Sequence, residues 1–397
     1  MATRLLFLRG PAARGLRGCG MPNSMRVQAR GLAAQAAVYT ETGSPQDVIQ
    51  VVERELPDAA DGLEPGQVVV RMLAAPVNPS DLNQIEGTYP VRGRFATMAL
   101  RGGATIHGAV GGNEGVGEVV ATAHGVDGVQ PGDWVVPRRA GEFGTWCSHT
   151  VAAADGLVAI PRAWRAGVQP ADVACLKVNP STAYRMLRDF AELRAGDYVI
   201  QNGANSGVGR AVIQLARHWG FRTINVVRDR PHLATLQQEL QALGGDIVVS
   251  DRQLGDEDVK QRLRSLDAPV RLGFNCVGGR ATLQMTKFIS AGGTLVSYGG
   301  MSRQPVTLPT SLLLFNDIRA RGFWMNRWYA DCQGDSAREA EMAAMWQDIL
   351  ALVRGGAFAT QPLAESRWLA AMPLADAQRL VSSAVAWGSG AKHAFSF

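Results

Sequence analysis

Paired cysteines and long apolar runs are both missing from this sequence. Its five cysteines are an odd number, widely spaced, and no two form a CxxC pair: Cys19, Cys147, Cys175, Cys276 and Cys332. This spacing argues against a disulfide framework and against a zinc-binding lobe, and it fits a reducing compartment. No stretch approaches the run of about 18 apolar residues that a membrane-spanning helix requires. The sequence therefore predicts no membrane span.

Acidic residues are absent before Glu41, whereas arginine is frequent there: Arg4, Arg9, Arg14, Arg17, Arg26 and Arg30. These six arginines exceed the formal net charge of the whole chain, which is +5, so the remaining residues are close to neutral overall. A chain whose basic excess is confined to its first residues has no basic face for nucleic acid. Nucleic-acid binding is therefore not expected.

The arginine-rich start also contains apolar residues, namely Leu5, Leu6, Phe7, Leu8 and Leu16. An acid-free segment of this composition predicts a mitochondrial transit peptide, which we assign to residues 1–35. A secretory signal fits less well because Arg9 interrupts the short apolar run, and a disordered basic tail is the remaining alternative. The predicted location is the mitochondrial matrix.

The length of 397 residues predicts two domains, and the 45 glycines indicate many tight turns. From Ala36 to Ala174, short apolar runs such as Val68–Leu73 and Trp134–Pro137 alternate with Gly, Pro and Asp, which is typical of an antiparallel β domain. Arg92–Ala109 lacks apolar periodicity, and we expect an irregular loop there.

From Asn179 to Trp328 the pattern changes to strands alternating with helices. This alternation predicts an α/β domain with a doubly wound parallel sheet. The predicted strands are Tyr198–Gln201, Thr223–Val227, Ile247–Val249, Leu272–Cys276 and Thr294–Tyr298, and the helices are Val208–Trp219 and His232–Leu243. A long helix, Ala337–Arg354, follows, and we expect the last segment to return to the first domain. The predicted boundaries are 36–176 with 331–397 for the β domain, and 177–330 for the α/β domain.

The segment Gln201–Gly209 carries the strongest local signal for a ligand. Its small residues follow a predicted strand and open a predicted helix, which is the context of a dinucleotide-binding turn. The backbone can approach a pyrophosphate closely there, and the N–H groups at the helix start favour its charge. A glycine-rich turn without a ligand is the alternative.

The end of the second strand predicts which dinucleotide binds. An acid at this position usually bonds the ribose hydroxyl of NAD, but this strand ends in Arg228-Asp229-Arg230. Two guanidinium groups suit the 2′-phosphate of NADPH. Asp229 either pairs with a neighbouring arginine or faces solvent, and a solvated run of charges is the alternative interpretation.

No metal site is predicted, because the histidines show no paired spacing. A metal-free reduction needs another acid to protonate its product. Tyr89, in a loop rich in Gly and Pro, could supply the proton, although such a residue is more often an ordinary surface tyrosine.

Several segments together resemble the enoyl-thioester reductases, a zinc-free branch of the medium-chain dehydrogenase/reductase superfamily. They are Ala74–Asp81, Gly111–Gly117, Val178–Arg185, Thr223–Arg230, Asn275–Gly279, Tyr298–Met301 and Arg321–Trp324. The resemblance implies a GroES-like β catalytic domain with an inserted Rossmann domain. Asn113 stands where zinc-bearing relatives have histidine.

The implied reaction is the NADPH-dependent reduction of a trans-2-enoyl thioester, carried on acyl carrier protein or coenzyme A, in mitochondrial fatty acid synthesis. Tyr89 matches the catalytic tyrosine of the family. A homodimer, joined through the edge strand near Ala320 to Met325, is implied as well. The residues matched to cofactor binding are Asn179, Asn205, Ser206, Gly207, Val208, Arg228, Asp229, Arg230, Tyr298, Gly299, Gly300, Met301, Phe323, Trp324, Met325 and Lys392.

Two departures from the family pattern leave alternatives open. Arg92–Gly108 is longer than the corresponding family loop and contains no acid, and Asn326 stands where the family typically has another small polar residue. One alternative is a quinone or enone reductase that does not need Tyr89. The other is a non-catalytic NADPH-binding protein whose site the additional segment has disabled.

Overall fold

The computed structural model describes residues 31–57, 62–361, 363–386 and 392–397. Most of the predicted transit peptide, residues 1–30, therefore lies outside the described residues. Its last part, Leu32 to Gln35, lies in the first strand of the fold. Among the described residues, no helix is both long and apolar enough to cross a lipid bilayer.

The strands of the described residues are, in chain order, β1 Leu32–Tyr39, β2 Ile49–Leu56, β3 Gln67–Pro76, β4 Ala96–Ala99, β5 Thr105–Val110, β6 Val116–Thr122, β7 Trp134–Pro137, β8 His149–Ala153, β9 Leu157–Ile160, β10 Tyr198–Asn202, β11 Arg222–Val227, β12 Ile247–Ser250, β13 Val270–Asn275, β14 Thr294–Ser297, β15 Arg319–Gly322, β16 Leu363–Arg367 and β17 Lys392–Ser396.

The helices are α1 Pro45–Val48, α2 Pro79–Ile85, α3 Arg162–Arg165, α4 Pro170–Ala174, α5 Asn179–Asp189, α6 Gly207–His218, α7 Leu233–Ala242, α8 Glu257–Arg264, α9 Gly279–Thr286, α10 Thr310–Phe315, α11 Met325–Cys332, α12 Ser336–Arg354 and α13 Leu374–Ala384.

A parallel sheet forms the nucleotide-binding half of the fold. Its strand order is β12-β11-β10-β13-β14-β15, and every neighbouring pair is parallel. This is the doubly wound order, in which the first strand of the motif lies beside the fourth. Apolar runs without alternation, such as the fully buried β10, suit a sheet that is covered on both faces. The predicted α/β architecture is confirmed.

Two mainly antiparallel sheets form the other half. One has the order β2-β1-β5-β4, and the other has the order β16-β17-β3-β6-β7-β9, with β8 also paired to β3. The C-terminal strand β17 pairs with β3 through Ala394 and Pro76. The end of the chain therefore pairs with a strand of the first sheet system.

Arg92–Ala109 is not the irregular loop that we expected. Its strands β4 and β5 form an antiparallel hairpin, and β5 also pairs with β1. Gly102 and Gly103 turn the chain with φ of 94° and 88°, a conformation that glycine adopts without strain. Two glycines between runs of strand-forming residues are a hairpin signal. We missed it because only Met98 of β4 is buried, which hides the alternation.

One core cluster connects the two halves. It contains Val116 and Ile160 of the antiparallel sheet, Val199 and Phe274 of the parallel sheet, and Trp346 of α12, all almost fully buried. Burying large apolar side chains in a shared core stabilises their relative position by roughly 1.5–3 kcal/mol for each side chain. The cleft between the two sheet systems is therefore framed by packed elements rather than by loops alone.

Replacing Gly209 with Ala should disrupt the turn between β10 and α6. The added Cβ would lie 2.5 Å from the backbone oxygen of Ala204, which cannot move aside without shifting the turn. We expect the free energy of unfolding to fall by about 1–3 kcal/mol, measured by urea denaturation. Gly255→Ala is the matched control, because its Cβ would meet no atom within 4 Å. Equal stability of the two variants would contradict this account of the turn.

Candidate active site

A cleft of about 580 Å³ opens at the carboxyl ends of the parallel strands. In an open α/β sheet, ligands bind at this edge, near the point where the strand order reverses. Here that point lies between β10 and β13. The cleft is lined by most of the residues that the sequence singled out: Tyr89, Asn179, Asn205, Ser206, Gly207, Val208, Tyr298, Gly299, Gly300, Met301, Phe323, Trp324, Met325 and Lys392.

The turn between β10 and α6 has the geometry of a phosphate site. Ser206 caps the helix, and its Oγ accepts a hydrogen bond from the N–H of Gly209 at 3.1 Å. The first N–H groups of any helix lack partners within the helix, and Gly207 and Val208, which carry two of them here, line the cleft. Gly207 must be small, because a Cβ there would lie 2.8 Å from the Asn179 side chain. The residues present therefore fit a dinucleotide phosphate.

Tyr298 supports the same assignment. Its hydroxyl is buried at the cleft close to Cys276 and Ser206, but no described residue reaches full hydrogen-bonding geometry with it. Burial raises the pKa of Tyr298, so the hydroxyl is neutral and able to donate. A buried polar group without a partner is costly, and a bound ligand is one way of satisfying it.

Arg228, Asp229 and Arg230 lie apart from the wall of the cleft. They follow the carboxyl end of β11 and are exposed. Asp229 pairs with Arg252 at 3.9 Å, not with Arg228 or Arg230, and it also remains exposed to solvent. Among the described residues, the side chains of Arg228 and Arg230 have no carboxylate partner. Arg230 Nε donates to the backbone oxygen of Arg228 at 3.3 Å, and the other nitrogens of the two guanidinium groups remain available to an anion.

The hydroxyl of Tyr89 accepts two hydrogen bonds from one element. Trp324 Nε1 donates to it at 2.8 Å, and Asn326 Nδ2 donates at 3.3 Å. The rings of Tyr89 and Trp324 meet edge to face, with centroids 6.1 Å apart. Because a tyrosine hydroxyl has a single hydrogen, two donors to its oxygen leave that hydrogen for a third partner in the cleft.

The electrostatic surroundings of Tyr89 keep it protonated. Burial raises the pKa of Tyr89, the hydrogen bond from Trp324 lowers it, and the charge of Asp81 raises it. Burial dominates, so the net pKa lies above the ordinary value of 10.0. The side chain is consequently a proton donor, not a base, at neutral pH.

Asn113 occupies a fully satisfied position below the cleft. Its Nδ2 donates to Asp81 Oδ1 at 2.8 Å and to Gln84 Oε1 at 2.9 Å. Its Oδ1 accepts from the backbone N–H of Gly141 at 2.8 Å and from Gln84 Nε2 at 3.3 Å. All its hydrogen-bonding capacity is thus used within the protein, so the side chain orders this wall of the cleft.

Two carboxylates that we did not single out as site residues are buried beside the cleft. Asp81 and Glu114 are 0% and 2% exposed. Burial raises the pKa of Asp81 to about 6, whereas hydrogen bonds from Asn78 and Asn113 and the charge of Lys392 lower it. Burial also raises the pKa of Glu114, again opposed by Lys392. The positive charge of Lys392 therefore stabilises the ionised forms of both carboxylates, and the same side chain lines the cleft.

Asn78, Lys177 and Thr182 also line the cleft and were not predicted. Asn78 links two parts of the wall, donating to Glu114 at 2.8 Å and accepting from Asn179 at 3.3 Å. The signal existed, because all three lie in or beside the segments that carry the family resemblance. Ordinary polar residues such as these have no spacing rule that marks them as functional.

Comparisons with known proteins agree with this geometry. The family described as "Alcohol dehydrogenase GroES-like domain" matches residues 64–162, and "Zinc-binding dehydrogenase" matches residues 207–342. The mitochondrial enoyl-acyl-carrier-protein reductase of Xenopus tropicalis is 44% identical over 331 residues, which are 83% of this chain and 88% of that relative.

This chain belongs to the mitochondrial enoyl-acyl-carrier-protein reductases. Among solved structures, the heterodimer of the mitochondrial 2-enoyl thioester reductases Etr1p and Etr2p from Candida tropicalis matches with a TM-score of 0.82 and 31% identity, covering 92% of this chain and 100% of that one. The complex of Etr1p with NADP and crotonyl-CoA matches with a TM-score of 0.80, 32% identity and the same coverage.

The zinc-binding description of one matched family raises the question of a metal in this reductase. Within residues 31–57, 62–361, 363–386 and 392–397, no group of three or more His, Cys, Asp or Glu side chains could hold a metal ion. The cysteines described there, Cys147, Cys175, Cys276 and Cys332, are free and buried.

The double variant Arg228→Ala/Arg230→Ala should lose the preference of this reductase for NADPH over NADH. Each hydrogen bond between charged groups contributes roughly 1.5–3 kcal/mol, so we expect the KM for NADPH to rise at least about tenfold. The KM for NADH should stay unchanged, because NADH has no 2′-phosphate. Arg264→Ala in α8 removes an exposed arginine elsewhere and is the control. Parallel changes for both cofactors would contradict the assignment.

Proposed function

We propose that this protein reduces the C2=C3 double bond of trans-2-enoyl thioesters with NADPH, giving saturated acyl thioesters. The family membership supports the reaction, and the solved Etr1p complex with NADP and crotonyl-CoA supports both ligand classes. The relatives are named mitochondrial, and this chain is placed in the mitochondrion accordingly. The reaction is the last reductive step of the fatty acid synthesis cycle there.

The hydrogen bonding of Tyr89 is the observation that carries the proposal. Trp324 and Asn326 hold the hydroxyl oxygen at the cleft while its hydrogen remains available. When NADPH is bound, it supplies a hydride to the β carbon of the enoyl group. Negative charge then develops on the thioester oxygen, and the Tyr89 hydroxyl stabilises it or supplies the proton that the α carbon needs. Donors positioned in advance toward such a charge stabilise the transition state strongly.

The acyl carrier is coenzyme A or acyl carrier protein. Both present a phosphorylated or acidic arm, which exposed arginines at the mouth of the cleft can attract. Arg92 lies there, with its Nη1 donating to the backbone oxygen of Gly87, two residues before Tyr89. Arg303, two residues after Met301 of the cleft wall, pairs with Glu86 at 2.8 Å. The observed charges do not favour one carrier over the other.

The position of the β4–β5 hairpin bears on the non-catalytic alternative. No residue of β4 or β5 lines the cleft. The hairpin pairs with β1 and, through Leu100, with Arg54 of β2. This placement supports an active enzyme.

We further propose that the domain boundaries lie where the sequence pattern changes, near residues 176 and 331. The reaction between the two domains then proceeds without a metal.

Tyr89→Phe should abolish most of the reduction of crotonyl-CoA while NADPH still binds. Removing one donor to a developing oxyanion typically lowers kcat by about 10²–10³-fold. Turnover is followed by the loss of NADPH absorbance, and NADPH binding is followed by its fluorescence. Thr88→Ala, at the neighbouring exposed position, is the control and should retain activity.

The two alternatives give different results in the same experiment. A quinone or enone reductase would reduce a quinone equally well with and without the Tyr89 hydroxyl. A non-catalytic NADPH-binding protein would bind the cofactor but would not turn over crotonyl-CoA even in the wild type. Either result would overturn the proposed reaction.

We propose a homodimer formed through β15. This strand is the edge of the parallel sheet, and all four of its residues are exposed. The adjacent helix α10 buries none of its residues and exposes Leu314 by 69% and Phe315 by 83%. An unpaired edge strand beside exposed apolar side chains is a natural surface for pairing with a second copy around a twofold axis.

Ala320→Pro should convert the proposed dimer to a monomer. Arg319 and Phe323 donate their N–H groups toward β14, to Gly293 and Ser297. Since N–H directions alternate along a parallel strand, the N–H of Ala320 faces the open edge, and proline removes it without breaking the existing ladder. Ala320→Ser keeps the N–H and is the control. Sedimentation velocity measures the mass, and a wild type that is monomeric at all concentrations would contradict the proposal.

A further inference from the structure

A second cavity, of about 320 Å³, lies beneath the β4–β5 hairpin. Its walls come from β2, β3, β4 and β8 and from the loop 141–144, so it sits between the two antiparallel sheets. It is distinct from the catalytic cleft, with which it shares Asn113 as a common wall residue. Because Gly93, Arg94, Ala96 and Met98 contribute to its lining, the additional segment of this chain helps to form it.

Arg54 is the unusual side chain of this cavity. Its Nε is buried and has no hydrogen-bond partner, and no described residue forms an ion pair with its guanidinium group. The neighbouring thiol of Cys147 gives no counter-charge, because burial raises the pKa of Cys147 to about 12. A partly desolvated cation without a partner costs free energy, and an anion in the cavity would offset this cost.

The rest of the lining determines which anion fits. Arg94 has no carboxylate partner among the described residues, whereas Glu142 pairs with Arg139 at 3.8 Å. The described lining therefore holds two guanidinium groups without a carboxylate partner and one carboxylate that is already paired with an arginine outside the lining. Met98, Phe143 and Val151 supply an apolar surface beside them. Guanidinium groups beside an apolar surface suit a carboxylate head that carries an apolar tail better than a bare phosphate, which has no apolar part to bury.

We propose that this cavity binds a small aliphatic monocarboxylate, with its carboxylate on Arg54 and its tail against Met98 and Phe143. Arg94 lies at the exposed end of the lining and assists the carboxylate. The site would operate beside the catalytic cleft, and it does not depend on the proposed reaction. Asn113 lines both the cavity and the catalytic cleft. A ligand bound in the cavity would therefore act on the cleft through Asn113.

The test is the binding of octanoate to the full protein, measured by isothermal titration calorimetry with NADPH present. We expect saturable binding to the wild type and at least a tenfold weaker affinity for Arg54→Met, because a charge-assisted hydrogen-bonding partner is lost. Arg264→Met removes an exposed arginine of α8 and should leave the affinity unchanged. Inorganic phosphate should bind more weakly than octanoate.

Thermal melting separates binding from folding. Without octanoate, Arg54→Met should melt no lower than the wild type, because it removes an unpaired desolvated charge. If that variant fails to fold, Arg94→Gln, at an exposed position, replaces it and should weaken octanoate binding several-fold. Unchanged octanoate affinity in the folded arginine variant would place the ligand in the catalytic cleft and overturn the proposal. Absence of saturable binding to the wild type, or tighter binding of phosphate, would overturn it as well.

Discussion

Two buried carboxylates, Asp81 and Glu114, hold the junction on which the catalytic cleft depends. Asp81 Oδ2 accepts from the backbone N–H of Asn78 at 2.8 Å, and its Oδ1 accepts from Asn113. Glu114 accepts from the Asn78 side chain and from the backbone N–H of Val178, where the chain enters the nucleotide-binding half. A buried charge is tolerated only when its surroundings satisfy it. This requirement ties the two halves to one geometry.

Short chains of hydrogen bonds connect these two carboxylates to the residues that line the cleft. Asn78 positions Asn179 at the start of α5, directly below the Gly207 turn. Asn113 fixes Gln84 at the end of α2, and the chain turns from there into the loop of Tyr89. The side chains that meet the cofactor and the substrate are thus oriented from a common polar layer. This hydrogen-bonded layer holds the Tyr89 hydroxyl in a defined position, although the residue lies on a loop. Proton transfer requires such a defined geometry.

Much of the fold could be predicted because its signals are local. Buried parallel strands appear as unbroken apolar runs, as in Tyr198–Gln201, and the turn at Asn205–Gly209 follows one directly. The position of Tyr89 could be predicted only by resemblance, since its partners Trp324 and Asn326 lie more than 230 residues away. The environment of Asp81 and the cavity at Arg54 also depend on long-range packing, which no periodicity encodes. The hairpin was missed for a different reason, because its one buried β4 side chain weakens the alternation.

The position of β1 limits how much of the N-terminal leader can be removed without disturbing the fold. Leu32–Tyr39 lies between β2 and β5 in its sheet, and Gln35 bonds Trp368 and Met372 near the other end of the chain. A peptidase that trimmed the chain beyond Gln35 would delete half of an internal strand and remove the side chain that bonds Trp368 and Met372. The fold therefore restricts where the N-terminus of the mature protein can lie. The residues of β1 constrain both leader removal and folding.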